Sequence, residues 1–252
     1  MLRLMFSRRW WWTTLLVAAG IAVVIRLGFW QLARYAENHA YNTHLSAMQA
    51  APELVLGAGD PVSGLAGMEY RAVRVSGSFD FTHQVAIRNQ VYTQSWGDDM
   101  GYALVTPLVM ADGQAVLVER GWIPLKDNTP AAWRQFDQPG PVTVAGVIRL
   151  PAKPEMGGEA DPTPAPGQSL DFWNIVNVPR LQKQMPYALL PVYVEQNPDP
   201  VQSGLPYRDL PVPEPADDGS NLGYAMVWFS FGVLLFFGYP LYLKRQGENT
   251  TR

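Results

Sequence analysis

The sequence predicts an α+β membrane protein: two transmembrane helices flank a mainly antiparallel β domain, open to closure as a barrel, with short helices added. Three observations predict it. An uncharged apolar run lies near each end, basic residues follow the outer side of each run, and the polar middle alternates apolar residues between Gly and Pro breaks. The mean hydropathy of −0.06 conceals the contrast between greasy ends and a polar centre.

Composition removes several function classes. The net charge of −3 leaves no basic field for nucleic acid. No cysteine is present, so disulfides, thiolate metal sites and a Cys-based copper chaperone are excluded. His39, His44 and His83 are the only histidines, which narrows metal and acid–base chemistry from the start.

Residues 1–9 are read as a cytoplasmic N-terminus and residues 10–32 as the first transmembrane helix. Residues 10–25 carry no charge, and apolar character resumes past Arg26 with Leu27, Phe29, Trp30 and Leu32. A helix over this stretch is about 33 Å long, enough for a bilayer core of about 30 Å. Arg26 can snorkel to the head groups, and Trp10, Trp11, Trp12 and Trp30 fit aromatic belts. The rival is a cleaved signal peptide, with Arg3, Arg8 and Arg9 as its basic start. The run is long for that, and a small-x-small cleavage site is missing before Gly28, so a retained anchor is expected. Residues 221–243 form the second span, preceded by Glu214, Asp217 and Asp218 and followed by Lys244 and Arg245. The positive-inside rule then puts both termini, including residues 244–252, in the cytoplasm of a cell (inner) membrane protein. Residues 33–220 become a periplasmic or extracellular β-rich domain.

Within that domain, residues 39–49 continue the first helix as a stalk, and residues 52–67 read as a loop. A strand opens at residue 71, with Gly77 expected to bend it. Val85, Ile87 and Val91 alternate with Ala86, Arg88 and Gln90 as in a half-buried strand. Residues 92–99 read as a loop and 101–110 as a further strand. Asp112-Gly113 signals a hairpin into residues 115–118. Thr129-Pro130 reads as N-cap and first helical residue of a short helix through Phe136. Residues 142–150 and 190–195 read as strands around a short helix near Pro179, with Pro-rich loops at 151–167 and 198–218.

No phosphate loop, dinucleotide fingerprint or HExxH motif is present. His83 can in principle serve as a hydrolase base, but there is no G-x-S-x-G elbow. Three runs stand out. Trp30, Gln31 and Arg34 fall where the first helix leaves the bilayer, Trp30 and Arg34 sharing a face; the alternatives are a site or plain interfacial anchoring. In Arg120-Gly121-Trp122, Arg120 can meet an anion such as a haem propionate and Trp122 an apolar face. Equally, Arg120 can bind a domain carboxylate and Trp122 fill the core. At the second span, Tyr224 and Trp228 share a face, Asn221 reads as the helix N-cap, and Met226 faces lipid or a helix.

In order along the chain, LGFWQLARYAEN, YRAVRVSGSFDF, GYALVTPLV, VLVERGWIP, VTVAGVIRL and NLGYAMVWFSFG resemble the Surfeit locus protein 1 family. The resemblance covers nearly the whole length apart from the two Pro-rich loops. It implies a non-catalytic factor for assembly of a haem–copper oxidase of the cytochrome c type. Its implied partners are the oxidase large subunit, the haem a synthase and membrane lipid. It also implies haem a near the outer ends of the spans, by the helices of Trp30 and Trp228. A His commonly opens the last run in the family and is its proposed haem ligand; here that position is Asn221. Asn is a poor axial ligand beside imidazole, which leaves His39 and His44 as the substitutes to consider.

Overall fold

The computed structural model describes residues 5–57, 64–94, 97–151, 168–199, 204–208 and 213–250, with the side chains of 249 and 250 left aside. The loop expected at 151–167 lies almost wholly outside the described residues, as do parts of the loops at 52–67 and 198–218. Two compact units emerge, one comprising Met1–His44 with Glu214–Arg252 and the other Leu45–Pro213.

The first unit is a pair of helices, α1 (Trp11–Ala50) and, last in the chain, α4 (Gly219–Thr250). Both are long and apolar enough to cross a membrane, with hydropathies of 2.0 and 1.7 over their best windows. No breaker interrupts α1 before Pro52, so the span and stalk are one rod of 40 residues, about 60 Å long. The first compact unit ends near His44, within α1.

Residues with reduced exposure on α1 recur at Thr14, Val17, Ile21, Val24, Gly28, Gln31, Tyr35, Asn38 and Asn42. On α4 they include Ala225, Trp228, Gly232, Leu235 and Tyr239. This spacing of three and four is the seam of a left-handed helix pair. The pair is antiparallel, since Thr14 meets Tyr239 while Gly28 meets Phe229. Small residues allow the close approach. A Cβ at Gly28 would lie 2.7 Å from the Phe229 ring, and one at Gly232 would touch Val24. Polar bonds sit at the two ends of the seam. Thr14 Oγ1 and Tyr239 OH are 2.7 Å apart, and the Asn42 amide both donates to Ala216 O and accepts from Ala216 N, at 2.8 and 2.7 Å.

The second unit is a closed five-stranded barrel with additions. Its strands are β2 (Ala72–Phe79), β4 (Gly97–Val109), β5 (Ala115–Pro124), β6 (Pro141–Arg149) and β8 (Leu189–Gln196). The order is β2-β6-β8-β5-β4, and β4 returns to β2 through Ser78↔Val109 and Phe79↔Leu108. Closure removes the free edges that an open sheet exposes. Most pairings are antiparallel, but β5 and β8 run parallel. The strand β3 (Val85–Gln94) extends β4, β7 (Phe172–Trp173) pairs with β3, and β1 (Leu54–Leu56) lies along β2.

The barrel interior takes alternate residues of each strand: Val73, Val75, Leu108, Val116, Val118, Val144, Ile148, Val192 and Val194. Outside β3, β4 and β5, a second cluster of Ile87, Val105, Leu117, Trp173 and Leu181 is covered by α3 (Val178–Leu181). The short helix α2 (Pro130–Trp133) starts as expected, with Thr129 accepting from Ala132 N, and continues as a 3-10 turn to Phe136. The hairpin at Asp112-Gly113 also forms, Gly113 having φ 82°.

Two expectations need correction. The segment 92–99 is not a loop: Tyr92–Gln94 pair with Gly97–Asp99 as the continuation of β3 and β4. The loop at 52–67 contains β1, whose three residues find a partner only after β2 has folded beside them.

Gly77 sits one residue before the closing seam, where a Cβ would run into the Val109 carbonyl and come within 3.1 Å of Leu108. Gly77→Val is expected to cost about 1–3 kcal/mol. The check is a lower unfolding midpoint and faster proteolysis of the barrel.

Candidate functional site

Along the helix pair, Phe29 and Phe229 meet edge to face at 5.4 Å and bring the sequence-selected residues of α1 and α4 to one level. Trp30 and Tyr224 are exposed, at 53% and 57%, and Trp228 is half-buried with its edge toward Phe231. Arg34 is exposed and pairs with Glu37 at 3.0 Å. Gln31 lies in the seam, and its Oε1 is buried without a hydrogen-bond partner. Such an acceptor costs about 1–3 kcal/mol until something donates to it. Met226 faces outward, 65% exposed.

Asn221 is not the N-cap. Helix α4 begins at Gly219, and Asp217 caps it by accepting from Ser220 N at 3.1 Å. Asn221 lies in the first turn, its Nδ2 donating to Asp217 O at 2.7 Å. The helix starts two residues earlier, at Gly219, so Asn221 is already inside the first turn while Asp217 reaches the free Ser220 N–H. His39 stacks on Tyr35 at 5.5 Å, its ring exposed, with Nδ1 3.0 Å from Asp218 Oδ2. His44 is half-buried in the same unit. The haem a that the resemblance implies needs an axial donor. An amide already bonded to Asp217, and an imidazole far out on the stalk and tied to Asp218, do not fit ligation in the family's manner.

Arg120 and Trp122 belong to the barrel unit, where β5 carries a bulge. Leu104 pairs with Gly121 while Val105 pairs with Glu119, so Arg120 is an extra residue in β5. Gly121 has φ 124°, and a Cβ there would lie 2.5 Å from the Tyr207 carbonyl. Hence only glycine fits this turn. Arg120 points inward as Val116 and Val118 do and Glu119 points outward, and the bulge then turns Trp122 outward as well. Arg120 is fully buried. Its Nη1 donates to Gln84 Oε1 at 3.1 Å, its Nη2 to the Phe136 carbonyl, and its guanidinium lies 4.9 Å from the Phe79 ring centre and 5.2 Å from that of Phe81. Burial, then the nearby Arg208, push the group down to about 10, with Asp137 opposing. It therefore stays charged at neutral pH. Gln84 is held in turn by Thr106 Oγ1 at 2.6 Å. Trp122 stacks with Tyr92 at 5.4 Å and donates from Nε1 to Gln90 O at 3.3 Å. Its backbone pairs with Tyr207, at 2.8 and 2.9 Å.

Beside the bulge lies a cleft of about 180 Å³ that sequence reasoning missed. Glu119 and Glu195 line it, brought together as register neighbours of β5 and β8. Glu195 pairs with Arg149 at 3.4 Å. Burial, and then Glu195, push the Glu119 carboxyl up to about 7, against the pull of Arg149. Only the parallel pairing of β5 with β8 reveals this site; the visible signal was a Glu directly before the Arg-Gly-Trp run.

Elsewhere, His83 Nδ1 lies 2.7 Å from Asp80 Oδ2 and 3.1 Å from Thr82 Oγ1. In a hydrolase triad the base meets nucleophile and carboxylate through different nitrogens. Here both contact the same one. Burial raises the Asp80 carboxyl, but hydrogen bonds from Thr82, His83 and Tyr187 outweigh it and hold the group below its ordinary value. Among the described residues, no three His, Asp or Glu side chains gather to hold a metal.

Two helices long and apolar enough to cross a membrane flank a five-stranded barrel domain in sequence. The SURF1 family model matches residues 18–233, and the chain belongs to that family. A SURF1-like protein of Rickettsia conorii is 24% identical over 230 residues, 88% of each chain. Surfeit locus protein 1 of Arabidopsis thaliana is 23% identical, covering 86% of this chain and 73% of its own. The Rattus norvegicus protein is 29% identical over 140 residues, 51% of this chain and 45% of its own. The family is linked to cytochrome c oxidase assembly.

Two outcomes follow. Arg120→Ala should lower stability by about 3–5 kcal/mol, because Gln84 and the Phe136 carbonyl lose their donor and a cavity opens; denaturant unfolding of the purified chain checks this. For Glu119, the folded carboxyl titrates near 7 against 4.5 for the free group, so the folded state holds the extra proton between them. Stability then falls as pH rises through that window and stays lower above it. Glu195, also raised by burial, adds the same sign. Unfolding midpoints across the window should fall with pH, and Glu119→Gln should flatten most of the slope.

Proposed function

We propose that this chain is a membrane-anchored, non-enzymatic assembly factor for a haem–copper oxidase of the cytochrome c type, assisting maturation of the haem a-containing large subunit. The family match across residues 18–233, both apolar helices included, carries the reading. The helices sit in the cell (inner) membrane with both termini cytoplasmic, so the barrel works on the periplasmic or extracellular side. Lys244 and Arg245 after the second span, and Arg8 and Arg9 before the first, support that orientation. The partners are the large subunit, with the haem a synthase beside it, and lipid around the helix pair. Trp30, Tyr224 and Phe29 present exposed rings where a partner helix would lie.

In this reading haem a is the client's cofactor, and the chain holds the client. The commitment of Asn221 to Asp217 and of His39 to Asp218 supports a scaffold over a chain that ligates the iron. Deleting the gene should lower membrane haem a and oxidase activity together. Unchanged haem a and full activity, with no paralogue present, would sink the reading. The purified chain from cells that make haem a should be colourless. A stoichiometric haem spectrum would overturn the scaffold version and direct mutagenesis to His39 and His44.

A further inference from the structure

We infer that the cleft beside the Arg120–Gly121 bulge is a binding site for a cationic nitrogen group, an ammonium or guanidinium borne by a small molecule or by a lysine or arginine of a partner protein. The inference goes beyond the assembly reading and stands on the barrel alone.

Acceptors make up one side of the lining. Glu119 and Glu195 stand side by side on parallel strands, and Gln196 Oε1 is buried without a partner. Like charges on adjacent strands destabilise a sheet. Glu195 has Arg149 at 3.4 Å, whereas the Glu119 carboxylate accepts no hydrogen bond from any described residue. It remains half-exposed only because the cleft reaches it. A carboxylate deep in a domain and unbonded is costly, and a charged donor is the partner that removes the cost.

The remaining wall is aromatic. Trp122, Tyr92 and Tyr207 stack with ring centroids 5.1 to 6.1 Å apart, and π faces beside carboxylates favour organic cations over water. Arg208 shares the lining: its Nε donates to the Arg120 carbonyl at 2.9 Å, its Nη2 is buried without a hydrogen-bond partner, and burial lowers the group while Asp199 opposes that. The volume, about 180 Å³, suits the end of a lysine or arginine and falls short of the roughly 300 Å³ where cofactor pockets begin. A hard metal ion is the poorer fit. It would need about six oxygens, and one of the two carboxylates here is already held by Arg149.

The charged and titratable groups facing Glu119 are Glu195 and Tyr193 on β8 and Arg149 on β6, with Glu69 beyond them. Burial and Glu195 raise the Glu119 carboxyl, so protons compete with the cation near neutral pH.

The test follows the unfolding midpoint of the full detergent-purified chain with methylguanidinium or propylammonium chloride up to about 20 mM, against matched sodium chloride. The wild-type midpoint should rise at pH 8, with apparent affinity about tenfold weaker at pH 6 as Glu119 takes up its proton. Glu119→Gln should fold, with no lower midpoint, and show no rise. Equal rises in both proteins, no rise in either, or a rise with magnesium or calcium but not with organic cations would overturn the assignment. Carbodiimide coupling in native membranes separates the sources. A Glu119-dependent adduct with a partner lysine marks a protein side chain. Incorporation of propylamine at Glu119 without a protein adduct marks a small molecule.

Discussion

A guanidinium sealed inside a five-stranded barrel calls for acceptors and aromatic faces around it. The surroundings of Arg120 supply them at both Nη atoms and both flat faces, leaving only Nε without a hydrogen-bond partner among the described residues. Gln84 and the Phe136 carbonyl receive its N–H groups, while Phe79 and Phe81 cover its flat faces. Those partners come from the end of β2, the turn before β3 and the turn after α2. One side chain therefore ties together segments that no sheet hydrogen bond joins. Arg120 points inward in step with Val116 and Val118, and the extra residue that it adds to β5 needs Gly121 at positive φ.

The same bulge has an outward consequence. By reversing the alternation of β5 for one step, it leaves Glu119 and Trp122 on one face, against β8 and the Tyr92 end of β3. A regular strand would have put these residues on opposite faces. Alternation along β5 thus sets the interior guanidinium and the exterior Glu119, and the bulge adds Trp122 to the wall of the cleft. The return of Tyr207 onto Trp122 completes both, since its carbonyl occupies the space that any side chain at position 121 would need.

The helix pair obeys a different constraint. Within a bilayer, apolar burial between helices is worth little, so close packing and a few polar bonds must define the pair. Gly28 and Gly232 allow the approach, and Thr14 with Tyr239 and Asn42 with Ala216 fix its ends. The seam is regular except at Gln31, whose buried acceptor sits at the level of the exposed aromatic residues.

The sequence by itself determined the features that depend on neighbours along the chain: two spans from uncharged length, strands from alternation at 85–91, the hairpin at Asp112-Gly113, and the helix start at Thr129-Pro130. Each is set by local chemistry, and each formed where the residues placed it, although α1 ran on because nothing before Pro52 stops it. The family, too, was legible, because six ordered motifs survive without knowledge of the fold. Tertiary structure alone decided the rest. Strands as short as β1 and β7 exist only by virtue of partners distant in sequence. Whether Asn221 or Asp217 caps α4 depended on which oxygen reaches a free N–H. Above all, the meeting of Glu119 with Glu195 rests on a parallel register between strands some 70 residues apart, and no local pattern encodes a pairing that only closure of the barrel creates.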